Sequence, residues 1–425
     1  MDSDALVRAM QGKGERMIID LEECKQALYS ASLAKSNPAL RMFFANLNVK
    51  DGDMDGYTDE EYLALCYAKQ AYRYVELDAI KGCLIGGAIG DALGFPVEFF
   101  EDCDIFKRYG EFGITELELC NGIAHISDDT QMTLFKADGL LSAAERYKNP
   151  TADEYVQCIY ESYLNWLSTQ DKTFDLKDVP RSALLQVKEL HSKRAPGTTC
   201  LMALRSGNCG TLTDTINNSK GCGGIMRIAP IALYLRQMEA FTTQDVALIA
   251  AKAAAITHGH ELGYIPAAYL AALLCGILKG DALYRANRFA EAMVRKLFPD
   301  SAEAETCLAL AMQAVDLAIS QEDGETMDDL DAIRQLGRGA VAEETLAIAL
   351  YCSFKYSEDF ESAVIAAANH SGDSDSTAAV TGNILGAYLG LRRIPQKFIQ
   401  PIELKDVMLD LAEKMHVNKL STEIK

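Results

Sequence analysis

The stretch TTQDVALIAAKAAAITHGHELGYIPAAYLAALLCGILKG, Thr242–Gly280, sets the fold class of this 425-residue chain. Its apolar residues recur at i, i+3 and i+4, and it is rich in Ala and Leu, strong helix formers. The same texture returns in TQMTLFKADGLLSAAERY (130–147), AEAETCLALAMQAVDLAIS (302–320) and AVAEETLAIALYCSFKY (340–356). Alternating β-branched runs bounded by turn pairs are almost absent. No 30–45-residue period recurs to signal a solenoid. The expectation is an all-α fold: a compact multi-helix domain at 79–425, preceded by a polar helical extension at 1–78.

Lys and Arg number 41 against 61 Asp and Glu, a formal net charge of −20. That balance excludes nucleic acid as a main partner, because phosphate binding depends on basic side chains. A 49% hydrophobic content excludes a disordered chain. The twelve cysteines are irregularly spaced, contain no CxxC and sit mostly among apolar neighbours, the pattern of buried free thiols. No secretory signal opens the chain, and the longest uncharged apolar run, Tyr264–Leu278, is shorter than a bilayer span. A cytoplasmic protein without a membrane partner is expected.

Several motifs carry chemistry. HISDDTQMTLF places Ser127, Asp128 and Asp129 directly before a helical pattern, and NHSGDSDSTAAV does the same with Asp373, Asp375 and Ser376. Ser and Asp favour helix N-caps and first turns, so capping accounts for either cluster alone. Together, four carboxylates and two hydroxyls form an oxygen-only set suited to Mg²⁺ or Mn²⁺, and their charge balances two divalent ions. Such a pair could orient a substrate and activate a water for hydrolysis. KGCLIGGAIGDALGFPVEF spaces Gly82, Gly86, Gly90 and Gly94 four residues apart. On a helix they form one smooth stripe, read mainly as tight helix–helix packing, and Asp91 and Glu98 suggest a carboxylate at a cavity wall.

Gly221, Gly223 and Gly224 of SKGCGGIMRIAPI allow backbone amides to approach a diphosphate, while Cys222 reads as a small loop residue, with no activating base in view. His258 and His260 of THGH could pair on a metal; lacking partners for a zinc set, they read as site-lining or structural. DGDMDGYTDEEY (51–62) follows the start of a calcium loop, but Tyr62 stands where a bidentate Glu is required. Thr58 and Glu61 are spaced as a capping box, which explains the segment without calcium. The acidic run SQEDGETMDDLD (320–331) reads as a solvated loop, and the chain from Pro395 as a polar tail with one amphipathic helix.

With RAPGTTCLMAL and LGRGAVAEETLAIAL, these motifs, in their order over about 79–395, make the chain resemble the ADP-ribosylglycohydrolase family, the dinitrogenase-reductase-activating glycohydrolase and ADP-ribosylarginine hydrolase group. The resemblance implies an all-α fold and two Mg²⁺ or Mn²⁺ held by Ser127, Asp128, Asp129, Asp373, Asp375 and Ser376. It places Glu98 near the metals, Ser219, Gly221, Cys222 and Gly223 in the loop that contacts ADP-ribose, and His258 on the site wall. Ser127 and Ser376 stand where Thr is usual, and Ser371 where Gly is usual.

The implied reaction is hydrolysis of the N-glycosidic bond between ADP-ribose and an arginine side chain of a modified protein, with Asp129 or Glu98 taking the proton. Two alternatives stay open. In one, residues 1–78 form an arm that binds a partner, such as an ADP-ribosylating toxin neutralised by this chain as an immunity protein; a packed helical annex is the plainer reading. In the other, the metal site serves another Mg²⁺-dependent hydrolysis, such as a phosphatase reaction.

Overall fold

The computed structural model describes residues 59–320 and 328–423. The possible calcium turn at 51–58, most of the 1–78 extension and residues 321–327 lie outside the described residues.

The chain begins with α1 (Asp59–Gly94), which crosses the expected boundary at 78/79, and α2 (Asp102–Tyr109). A two-residue hairpin, β1 (Leu119–Cys120) and β2 (Ile123–Ala124), turns on Asn121 and Gly122, both at positive φ as this tight turn requires. Then come α3 (Asp128–Arg146), α4 (Ala152–Gln170), α5 (Thr198–Arg205), α6 (Ala229–Leu235), α7 (Thr243–Ala255) and α8 (Glu261–Leu278). The remainder is α9 (Leu283–Leu297), α10 (Ala302–Ile319), α11 (Asp329–Leu336), α12 (Ala342–Lys355), α13 (Phe360–Ala368), α14 (Ser374–Leu389), α15 (Gln396–Ile399) and α16 (Lys405–Glu423). The described chain is thus all-α apart from the hairpin. Capping boxes at Thr151/Glu154 and Thr242/Asp245 open α4 and α7, each satisfying first-turn amides with side-chain oxygens.

Helix α8 is buried all round, from Leu262 to Leu278, and α7 and α12 pack against it. Two stretches, Glu76–Val97 and Glu261–Leu278, are long and apolar enough to cross a membrane, which corrects the expectation that none reaches that length. The count succeeds because a few charged residues are tolerated within a span. Both stretches lie mostly inside the protein, 83% and 94% buried, as core helices do. The ten described cysteines are free thiols, six of them buried.

Helices α1 and α14 run antiparallel in backbone contact, as the glycine stripe suggested. A Cβ on Gly82, Gly86, Gly90 or Gly94 would stand 2.2, 2.3, 1.9 or 2.3 Å from the carbonyl oxygens of Gly386, Gly382, Ala378 and Ser374. Gly382 and Gly386 repeat the relation in reverse toward Gly86 and Gly82. This crossing brings the first turn of α14 against the end of α1.

Two expectations about the surface need correction. Asp329, read as part of a solvated loop, accepts hydrogen bonds from Tyr351, Lys355 and Tyr356 and so anchors α11 to α12. The chain beyond Pro395 is not a tail: Met408, Leu411, Ala412 and Met415 of α16 are buried. Just before α16, Glu403 accepts from the Ile126 amide and the Arg194 guanidinium, tying the C-terminal segment to the loop that leads into Ser127.

Candidate metal centre

Helices α3 and α14 open on the two acidic motifs, and in both the capping role is fulfilled. Ser127 Oγ accepts from the Asp129 amide at 3.1 Å, and Asp373 Oδ1 accepts from the Ser376 amide at 3.3 Å. Across the two motifs, Ser376 Oγ donates to Asp129 Oδ2 at 2.9 Å. Thus Ser127, Asp128, Asp129, Asp373, Asp375 and Ser376 are brought together at two helix N-termini, all of them buried.

Asp91, at the end of α1, holds α3 in place. Its carboxylate accepts from the Ser127 amide, the Thr130 amide and the Thr130 hydroxyl, so one side chain ties both the N-cap residue and the third helical residue of α3. Glu98 follows on the turn Val97–Phe100, closed by the Phe100 amide to the Val97 carbonyl at 2.9 Å. Phe99 occupies the left-handed position of this turn at φ 59°, where Gly is favoured, and its amide bonds the Gly372 carbonyl beside Asp373. Ser371 supplies what its neighbour lacks: its Oγ accepts from the Asp102 amide and caps α2 from another part of the chain.

Burial and mutual repulsion raise the acids. Asp128 is pushed up to about 7, chiefly by desolvation and then by Asp91 and Asp373, and Glu98 to about 8 by desolvation and then by Asp373, Asp128 and Asp91. Desolvation likewise lifts Asp129 and Asp375 well above the ordinary carboxylate range. Among the described residues none of the four aspartates pairs with Lys or Arg. Three of them hold one oxygen each in a hydrogen bond, Asp128 Oδ2 from the Gly197 amide, Asp129 Oδ2 from the Ser376 hydroxyl and Asp375 Oδ1 from the Ser376 amide, whereas Asp373 uses both, Oδ1 for the Ser376 amide and Oδ2 for the Cys222 thiol. Asp128 Oδ1, Asp129 Oδ1 and Asp375 Oδ2 take no such bond, yet they are not among the sealed, unpartnered polar atoms of the interior, so each keeps some access to solvent.

Uncompensated buried anions with accessible hard oxygens suit a hard divalent cation. Among the described residues no three Asp, Glu, His or Cys side chains already converge as a finished cage.

The loop after α5 forms the opposite wall. Its backbone pairs with the segment before α12: the Cys222 amide donates to the Ala340 carbonyl and the Ala342 amide to the Lys220 carbonyl. Lys220 is ion-paired to buried Glu343. The Gly221 amide bonds Ser219 Oγ and the Gly224 amide bonds the Gly221 carbonyl, so these donors, with that of Cys222, are already engaged. The Gly224 position faces the Gly263 carbonyl, with 2.3 Å to an added Cβ, and Gly223 faces His258 and Cys200. Two of the three loop glycines therefore serve packing within the protein. The Cys222 thiol is pushed well up by burial and by Asp373 and Asp129, which keeps it protonated and unsuited to nucleophilic attack.

His258 is buried against this loop; His260 instead caps α8, its Nδ1 accepting from the Leu262 amide at 3.0 Å. Sequence reasoning passed over two fully buried basic side chains, Lys136 on α3 and Arg227 after the loop. The signal was present, because each interrupts an apolar run.

The family model described as ADP-ribosylglycohydrolase matches residues 72–423. An uncharacterized protein of Archaeoglobus fulgidus is 26% identical over 80% of this chain and 96% of its own length. ADP-ribosylhydrolase ARH3 of Danio rerio is 26% identical over 80% and 90%, and ADP-ribosylarginine hydrolase Tri1 of Serratia proteamaculans is 24% identical over 80% and 79%. A solved structure described as an ADP-ribosylglycohydrolase-related protein complex has a TM-score of 0.54 at 23% identity. It covers 81% of this chain and 99% of that one, which establishes the likeness of fold.

Proposed function

This chain belongs to the ADP-ribosylglycohydrolase family, and from that membership and its buried carboxylate cluster we propose that it hydrolyses the N-glycosidic bond joining ADP-ribose to an arginine side chain of a modified protein. The observation that carries the proposal is the meeting of Ser127–Asp129, Asp373–Ser376 and Glu98 at the adjoining ends of α1, α3 and α14. A relative named for ADP-ribosylarginine hydrolysis supports arginine as the acceptor, and one named for ADP-ribosyl-[dinitrogen reductase] supports a modified protein as the substrate.

Ser127, Asp128, Asp129, Asp373, Asp375 and Ser376 would hold two Mg²⁺ or Mn²⁺. Such ions supply positive charge that orients ribose hydroxyls and increases the acidity of a water. Asp129 is committed to Ser376 Oγ and to the donor set, which leaves Glu98, outside that set, as the better proton carrier. In the reaction a water oxygen bonds to the anomeric carbon, the carbon–nitrogen bond breaks, and the departing guanidine nitrogen gains a proton. The surrounding negative charge favours an oxocarbenium-like transition state. Ser219, Gly221, Cys222, Gly223 and His258 would line the ADP-ribose side.

The toxin-neutralising alternative depends on residues 1–78, most of which lie outside the described residues, and no relative named above speaks for it. No relative named above is described as a phosphatase. The deciding assay is release of free ADP-ribose from ADP-ribosylated arginine, with Mg²⁺ or Mn²⁺ and with chelator, for wild type and Asp129→Ala. No release by wild type overturns the proposal, and release that survives both chelator and substitution overturns the metal assignment.

A further inference from the structure

The interior behind His258 contains a chain of hydrogen bonds whose directions can be deduced. Arg227 is fully buried, and a guanidinium can only donate. Its Nη2 donates to Thr257 Oγ1, and its Nη1 donates to Cys200 Sγ at 3.2 Å and Met132 Sδ at 2.9 Å. Having accepted from Arg227, the Thr257 hydroxyl still has its own hydrogen to place. His258 Nδ1 lies 2.8 Å from that oxygen. The competing acceptor is Cys200 Sγ, a weaker one that already receives the Arg227 proton. The hydroxyl hydrogen therefore goes to Nδ1, and in a neutral ring the remaining proton must sit on Nε2.

The Nε2 edge is the one turned to the loop. A Cβ on Gly221 would stand 3.4 Å from Nε2, and one on Gly223 only 2.9 Å from Cε1. Cys222, between these glycines, donates to Asp373 of the candidate centre.

We propose that the buried Arg227–Thr257 pair fixes His258 as its Nε2–H tautomer, so that His258 presents a donor to an acceptor oxygen of the bound substrate. Arg227 and Thr257 are positioning residues acting through His258. The arrangement disqualifies His258 as a metal ligand or proton acceptor, because Nδ1 is engaged and Nε2 is protonated. His260 gives no ligand either, since its Nδ1 already accepts from the Leu262 amide. Burial, and then the Arg227 charge, push the His258 ring down to about 3, consistent with a ring that stays neutral.

The tautomer follows from geometry alone; the substrate oxygen rests on the glycohydrolase reading, and the experiment separates the two. Full-length protein labelled with ¹⁵N-histidine, six residues in all, is examined by long-range ¹H–¹⁵N NMR, with His258 assigned through His258→Gln. The expected pattern is a pyridine-like Nδ1 and a pyrrole-like Nε2. Thr257→Val shifts the ring toward the other tautomer and raises KM for ADP-ribosylated arginine about tenfold, with little change in kcat. Thr257→Ser retains the wild-type pattern and kinetics. A pyrrole-like Nδ1 in the wild type, an imidazolium at pH ~6, or an unchanged tautomer in Thr257→Val overturns the proposal. If the wild type releases no ADP-ribose, the functional reading fails while the NMR still decides the tautomer. If Thr257→Val does not fold, the wild-type spectrum and Thr257→Ser still decide it.

Discussion

Alanine in place of Gly94 or Gly82 adds one methyl group to α1 and sets two effects of opposite sign against each other. Intrinsic propensity favours Ala over Gly in a helix by about 1 kcal/mol. The packing opposes it. At Gly94 the new Cβ would lie 2.3 Å from the Ser374 carbonyl oxygen and 2.5 Å from the Asp375 amide nitrogen; at Gly82 it would lie 2.2 Å from the Gly386 carbonyl oxygen. These are backbone atoms, so no rotamer change relieves the contact, and the helices must part by roughly 1 Å in a close-packed interior. Overpacking costs about 1–3 kcal/mol, with the upper end expected where backbone must shift. After the propensity gain, a net loss of roughly 2 kcal/mol remains. Urea unfolding reads that sign directly.

The two sites differ in what they support. Gly94 lies under the first turn of α14, beside Asp375 and Ser376, whereas Gly82 is twelve residues back, about 18 Å along the helix. Both variants should lose stability, but only Gly94→Ala should weaken Mg²⁺ or Mn²⁺ binding in calorimetric titration, by roughly tenfold or more. Either variant matching wild-type stability refutes the backbone-contact argument. Equal loss of metal affinity at both positions refutes the claim that the glycine contact aligns the centre.

Lys136 has a fully buried amine with no hydrogen-bond partner, and burial followed by Arg227 pushes it well below the ordinary lysine range. The unfolded chain therefore binds a proton that the folded one does not, so this residue's penalty is greatest at low pH and fades toward pH ~10. Lys136→Met should raise stability at neutral pH by about 1–3 kcal/mol, with a gain that shrinks as pH rises; a gain that grows with pH contradicts the assignment. Ser371→Ala removes the cap of α2 and should lower stability by about 1 kcal/mol in denaturant unfolding, whereas an unchanged midpoint would show that the bond to Asp102 contributes nothing. Protein stripped by chelator should melt lower than protein with Mg²⁺ or Mn²⁺ restored, by an amount corresponding to about 2.7 kcal/mol when the ion is at a hundred times its Kd. An identical melt with and without divalent ion would argue against the oxygen cluster as a cation site.

The all-α class was legible because propensity and burial agree: the Ala- and Leu-rich pattern of α8 is also a helix enclosed by other helices. Ser127 and Asp373 were legible as caps for a local reason, since an N-cap bonds an amide two or three residues away. Glu403 was not, because its partners at Ile126 and Arg194 are more than two hundred residues distant and meet it only through tertiary closure. The loop glycines show a different limit. A sequence reveals that Gly224 has no side chain, but a neighbouring backbone and an incoming ligand make the same demand. Here the neighbour is the Gly263 carbonyl. The Arg227–Thr257–His258 chain likewise joins residues thirty positions apart, although the charged Arg227 in an apolar run was a visible anomaly.

The candidate centre brings like charges together where water cannot screen them, so something other than the charges must hold it. Among the described residues Asp128, Asp129, Asp373 and Asp375 are buried without an ion pair to Lys or Arg, and their mutual repulsion works to separate the ends of α3 and α14. Two features oppose this. Helix N-termini favour negative charge, and two first-turn amides donate to carboxylates there, Thr130 to Asp91 and Ser376 to Asp373 and Asp375. The α1–α14 seam runs back from Gly94, beside the centre, to Gly82, and at Gly82, Gly86, Gly382 and Gly386 backbone meets backbone away from the charges. The seam fixes the position of α14 while Asp91 fixes α3 against the end of α1, so a single helix references both acidic motifs. Capping and an open donor set can therefore coexist: Ser127 and Asp373 cap the two helices, while Asp128, Asp129 and Asp375 each give one oxygen to a neighbouring donor and keep the other without a hydrogen bond.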